Sequence, residues 1–166
     1  MLPLIKARHY AETIADKLRS YCDKIEIAGS IRRQRPMCGD IDLVVLPRDA
    51  EGLRDRVKHG RKVITEGTQN LIVELADGTQ LDIFIARPES KTLLETLPTN
   101  FGSLLLCRTG STQHNIHLID HAKRMGLLWR PYVGIYEGHD IVASETEEEI
   151  FEALCLPFIP PEKRER

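Results

Sequence analysis

The chain has 166 residues, 42% hydrophobic and 29% charged, enough to bury one core or two small ones. Its 23 Lys and Arg against 25 Asp and Glu give a formal net charge of −2 and a pI near 6.3, which excludes the strongly basic composition of an indiscriminate nucleic-acid binder. With no long apolar run, no charged-then-apolar leader and four scattered cysteines (Cys22, Cys38, Cys107, Cys155), neither a membrane span, a secretory signal, a zinc knuckle nor a disulfide framework is expected, and a reducing, cytoplasmic setting suits the chain.

Ile5, Tyr10, Ile14, Leu18 and Tyr21 recur at roughly helical spacing and predict a helix over 4–22. Residues 24–28 read as a first strand leading into Gly29-Ser30. Gly29 permits a tight turn. Ser30 supplies a hydroxyl and a helix N-cap, and the N–H groups of a helix starting there form a phosphate cradle. Arg32 and Arg33 add cations beside it, and Gly39 lets backbone approach a ligand. Ile41, Leu43, Val44, Val45 and Leu46 then mark a buried strand on which Asp40 and Asp42, two residues apart, point the same way. Adjacent carboxylates repel unless a cation sits between them, and hard oxygen ligands select magnesium or manganese. An Asp-x-Asp pair alone fits a solvated strand end equally well. The turn, the arginines and the pair in one short span fit nucleoside triphosphate chemistry.

Residues 50–59 read as a helix and 62–65 as a strand. Residues 69–76 and 80–86 read as two strands joined by the hairpin turn Asp77-Gly78. Asp82 lies among Leu81, Ile83, Phe84 and Ile85, where a carboxylate is costly unless paired or metal-bound. It either faces solvent from an edge strand or supplies the third carboxylate that a two-metal site needs. Pro88, Pro98 and Asn100 mark 88–100 as a junction, dividing the chain into domains 1–90 and 91–166. Residues 101–107 and 112–125 read as helices around Thr109-Gly110-Ser111, 132–142 as a short hairpin broken at Glu137-Gly138, and 147–154 as a last helix. Basic clusters stand at Arg32, Arg33 and Arg35; at Lys58, Arg61 and Lys62; at Lys123 and Arg124; and at Lys163, Arg164 and Arg166, the last read as a frayed, solvated tail.

The run Gly29-Ser30-x-Arg32-Arg33 followed by Gly39-Asp40-x-Asp42, with Asp82 later, resembles the nucleotidyltransferase palm of the family X DNA polymerases, the polymerase beta group. Arg108-Thr109-Gly110-Ser111 followed by Asn115 resembles that family's thumb, and 145–164 its closing segment. The resemblance covers nearly the whole chain. It implies an α+β fold: a palm with a mixed sheet and flanking helices, then a small α+β thumb, in a reduced form without the helix-hairpin-helix modules that precede the palm in longer members.

The same resemblance implies a DNA polymerase that adds deoxynucleotides to a primer 3′-hydroxyl, in short gap filling during repair. Mg2+, with Mn2+ as a substitute, is the implied cofactor. Primer-template or gapped DNA and nucleoside triphosphates are the implied partners, with no membrane and a monomeric state. It makes Asp40, Asp42 and Asp82 catalytic metal ligands. It assigns Gly29, Ser30, Arg33 and Gly39 to the β- and γ-phosphates, and Arg108, Gly110, Ser111 and Asn115 to the rest of the nucleotide. Cys107 and Arg108 stand where many relatives carry an aromatic pair that gates the sugar 2′ position, and His117 and Ile119 where they often carry DNA-touching arginines. The absent DNA-gripping modules and the acidic net charge keep open a nucleotidyltransferase with another acceptor (an RNA end, a protein or a small molecule). A non-catalytic nucleic-acid-binding subunit also stays open, though the intact aspartates argue against it. His114, His117 and His121 share a helix face at metal-ligand spacing, but no cysteine completes a site and no dedicated metal is expected there. Trp129 and Tyr132 are expected to pack in the thumb core.

Overall fold

The structure, a computed structural model, describes residues 1–92 and 96–165. Arg166 of the last basic cluster and residues 93–95 of the expected junction lie outside the described residues. The rest falls into two compact units, Met1–Ala86 and Arg87–Arg166.

The first unit runs β1 (Leu2–Pro3), α1 (Leu4–Leu18), a 3-10 turn (Arg19–Tyr21), β2 (Cys22–Ile27), α2 (Gly29–Arg32), β3 (Met37–Cys38), β4 (Asp40–Pro47), α3 (Ala50–Lys58), β5 (Lys62–Glu66), β6 (Asn70–Glu74) and β7 (Gln80–Ile85). Five strands form one mixed sheet in the order β2-β4-β7-β6-β5. β4 and β7 are parallel; the other neighbours are antiparallel. The turn between β6 and β7 follows the chemistry read from the sequence. Gly78 takes φ +79°, Leu75 N–H donates to Thr79 O at 2.8 Å, and the Asp77 carboxylate accepts from Thr79 N–H at 3.0 Å.

Strand alternation decides where the core sits. Ile41, Leu43 and Val45 of β4 and Leu81, Ile83 and Ile85 of β7 pack on one face with Leu71 and Val73. α1 and α3 cover them through Ala7, Ala11, Leu18, Leu53 and Val57. Asp40, Asp42 and Asp82, one residue out of phase, belong to the opposite face. The α1 stripe differs from the expected one. Ile5 is 85% exposed, and the buried positions are Ala7, Ala11, Ala15 and Leu18. Small side chains at a four-residue spacing let the helix backbone approach the sheet closely, which a count of large apolar residues overlooks. The helix also stops at Leu18, and the last predicted residue, Cys22, opens β2.

The second unit comprises β8 (Ser90–Lys91), β9 (Thr96–Leu97), α4 (Phe101–Thr109), α5 (Thr112–Arg124), β10 (Leu128–Arg130), β11 (Gly134–Glu137), β12 (Asp140–Ala143), α6 (Glu147–Ala153) and a closing 3-10 turn (Pro161–Lys163). The expected two-strand hairpin is a three-stranded antiparallel sheet, β10-β11-β12. β10 has three residues with only Trp129 inward, too few for alternation to register. Trp129 is buried as expected, and its indole N–H donates to Ser103 Oγ at 2.9 Å. It joins Leu106, Leu118, Ala122, Ile135, Ile150, Phe151 and Leu154 in the core of this unit.

The terminal basic cluster is not a solvated tail. Arg164 is fully buried, its Nη1 donating to Glu147 Oε1 at 2.6 Å and its Nε to Ile159 O at 2.7 Å. Its guanidinium lies 5.4 Å from the Phe151 ring centroid and 5.3 Å from that of Phe158. A buried charge is tolerated only with such a set of partners. Among the described residues, no helix is long and apolar enough to cross a membrane.

Candidate active site

The parallel register of β4 and β7 makes Asp40 the Cα partner of Gln80 and Asp42 the Cα partner of Asp82. Side chains two apart on each strand share a face, so these four residues form the corners of a square. Carboxylate oxygens of Asp40, Asp42 and Asp82 all lie within 4.8 Å of one another. Asp82 is 8% exposed, and β7 is an internal strand flanked by β4 and β6. The edge-strand alternative for Asp82 is therefore overturned. Gln80 Nε2 donates to Asp82 Oδ1 at 2.8 Å.

Gly29, the first residue of α2 just after β2, meets this cluster. Its φ is +58°, Ala28 N–H donates to Asp42 O at 2.9 Å, and a Cβ built on Gly29 would fall on Asp42 Oδ2. Only glycine tolerates both the conformation and the contact. Ser30 differs from expectation: the N-cap position of α2 is Ala28, with no side-chain cap. The Ser30 hydroxyl oxygen is instead buried with no hydrogen-bond partner, an uncommon state for a buried polar atom. Arg32 and Arg33 are half-buried at the end of α2, and Gly39 is exposed directly before Asp40.

The residues present fit a divalent cation. All three donors are carboxylate oxygens, close enough to share one ion, on a strand pair held rigid by the core behind it, and oxygen-only donors favour Mg2+ or Mn2+ over zinc. Among the described residues this is the only cluster of potential metal ligands so assembled. His114, His117 and His121 are not gathered into such a cluster. His121 Nε2 sits 2.9 Å from Leu154 O. The His114 ring is buried 6.0 Å from Phe151. Burial, with the Arg164 guanidinium adding to it and Glu147 opposing, pushes the His114 imidazole down to about 4. Two of the cysteines make poor nucleophiles. Burial pushes the Cys22 thiol up to about 11 and raises that of Cys107 as well.

In the second unit the Thr109-Gly110-Ser111 segment links α4 to α5. The Gly110–Ser111 peptide is cis. Ser111 caps α5, its Oγ accepting from His114 N–H at 3.3 Å, and its own N–H donates to Arg164 O at 3.1 Å. Asn115 Nδ2 donates to Cys107 O at 2.8 Å, while its Oδ1 is buried with no hydrogen-bond partner. The Arg108 guanidinium lies 4.9 Å from the Tyr132 ring centroid, a cation–π contact.

One neighbour of the triad escaped the sequence reading. Gln80 could have been found from alternation alone, because a polar residue two before Asp82 must share its face.

A mixed sheet with three gathered carboxylates beside a Gly-Ser turn defines a nucleotidyltransferase-like palm. Family models agree: the DNA polymerase beta palm matches residues 2–77 and the DNA polymerase beta thumb matches residues 104–165. The chain belongs to the polymerase beta group of the family X polymerases. Two solved structures of Leishmania infantum polymerase beta, a ternary P/T complex and a ternary gap complex, align with 99% of this chain. They are covered over 77% and 71% of their own chains, with TM-scores of 0.71 and 0.72, at 17% identity in both cases. No curated protein matches the chain.

Proposed function

We propose that this chain is a DNA polymerase that adds deoxynucleotides to a primer 3′-hydroxyl, with short gap filling in repair as its task. The observation that carries the reading is the convergence of Asp40, Asp42 and Asp82 within 4.8 Å beside Gly29 and the unpartnered Ser30 hydroxyl. The reaction is in-line attack of the primer hydroxyl on the α-phosphorus of a nucleoside triphosphate, with pyrophosphate leaving.

Asp40, Asp42 and Asp82 would hold Mg2+ or Mn2+, which when bound lower the pKa of the attacking hydroxyl and offset charge on the phosphates. Ser30 offers its hydroxyl, and Gly39 its exposed backbone, to the β- and γ-phosphates. Arg33 adds the cation that balances charge building on the leaving group. Gly110, Ser111 and Asn115 contact sugar and base, Asn115 through the oxygen that has no protein partner. Arg108 packs on Tyr132, where it replaces an aromatic gate with a cation.

A second reading, transfer to an acceptor other than primed DNA, is favoured by one observation. The net charge of −2 gives little of the general attraction that holds a DNA backbone. Primer extension on recessed, gapped and single-stranded DNA, with deoxy- and ribonucleotides and Mg2+ or Mn2+, tests both. Metal-dependent extension of recessed or gapped DNA supports the polymerase. Nucleotide turnover that bypasses every DNA end supports the second reading.

A further inference from the structure

Three corners of the square on β4 and β7 are carboxylates, and the fourth is an amide. We propose that Gln80 is a positioning residue for the metal site, fixing the Asp82 carboxylate through its Nε2–H···Oδ1 hydrogen bond. The inference rests on the proposed nucleotidyl transfer and names a residue that reading does not use.

Gln80 is the Cα partner of Asp40 and lies two residues before Asp82 on one strand, so its side chain stands beside both. Its 2.8 Å bond to Asp82 Oδ1 occupies one carboxylate oxygen. That restrains rotation about the Asp82 side chain and so fixes how its carboxylate meets Asp40 and Asp42. Hydrogen bonds of this kind, one step behind the ligands, orient carboxylates in metal sites generally. The donor is also neutral. An amide fixes the carboxylate without acting as its counter-ion, so it adds no positive charge to compete with a divalent cation. Gln80 is only half-buried and belongs to none of the core packing, so its role is not one of filling space.

The test compares wild type with Gln80→Met, which keeps the side chain's length and deletes the donor. Mn2+ binding to the protein, followed by the EPR signal of free Mn2+, is read together with kcat and nucleotide KM for primer extension. Gln80→Met should lose about 10- to 100-fold in Mn2+ affinity and in kcat. Its nucleotide KM should stay within about twofold, because the phosphate contacts lie elsewhere. Its thermal unfolding midpoint should match wild type. Wild-type Mn2+ affinity and kcat in Gln80→Met would overturn the inference and leave the proposed reaction standing. A wild-type protein that binds no Mn2+ would overturn both.

Discussion

Gly29 and Asp42 share a space that holds only one of a Cβ and a carboxylate. The Asp42 Cγ lies 2.8 Å from the position a Gly29 Cβ would take, and its Oδ2 falls on that position. Gly29→Ala must therefore push the Asp42 carboxylate out of the triad, while also straining a backbone at φ +58°. Misplacing a reacting group by about 1 Å costs on the order of 100-fold in rate. Gly29→Ala should lose at least that in metal-dependent turnover. Turnover equal to wild type in this variant would contradict the placement of Asp42.

Arg33 should act on binding before chemistry. A charge-assisted hydrogen bond is worth about 1.5–3 kcal/mol, so Arg33→Ala should weaken nucleotide affinity roughly 10- to 100-fold. Fluorescent nucleotide titration reads this directly, and an unchanged affinity would remove Arg33 from the phosphate cradle.

The buried pair Arg164–Glu147 predicts a stability effect with a particular pattern. Removing one partner leaves an uncompensated buried charge, so Arg164→Met should cost about 3–5 kcal/mol in urea unfolding. Replacing both, Arg164→Met with Glu147→Leu, should cost clearly less, because no charge is then left alone. Since Arg164 O also accepts the Ser111 N–H, loss of the single partner should loosen the Gly110-Ser111 turn as well. Equal costs for the single and double variants would contradict the ion-pair account.

His114 sets a pH dependence. Its value falls from an ordinary 6.5 to about 4, chiefly through burial and then through Arg164. Between those two values the unfolded chain binds the proton and the folded chain does not, so stability rises with pH across that window. It is fully present above about pH 6.5 and declines as pH falls towards 4, by about 3 kcal/mol in all. Urea unfolding at a series of pH values should show this slope, and His114→Phe should flatten it. A slope unchanged by that substitution would assign the effect to another group.

Much of this was legible beforehand, because local patterns wrote it. Alternation gave β4 its phase, so Asp40 and Asp42 could be placed on one face, and Asp77-Gly78 announced the turn that carries the chain into β7. What local pattern cannot write is pairing. That Asp82 lies opposite Asp42 follows from a parallel register between strands separated by α3, β5 and β6. The capping role of Ser30 was misread because capping depends on where a helix begins, and α2 begins two residues earlier than a Ser30 cap requires. Arg164 was misread because a charged tail is ordinarily solvated, and its burial depends on Glu147, Phe151 and Phe158 meeting in three dimensions.

The central claim is that three aspartates brought together by β4 and β7 carry out nucleotidyl transfer. Its most direct test is Mg2+-dependent primer extension by Asp82→Ala, with nucleotide binding measured on the same preparation. The account predicts that incorporation is abolished while triphosphate affinity stays near wild type, since the proposed phosphate contacts are Ser30, Arg33 and Gly39 rather than Asp82. Incorporation at the wild-type rate by Asp82→Ala would contradict it.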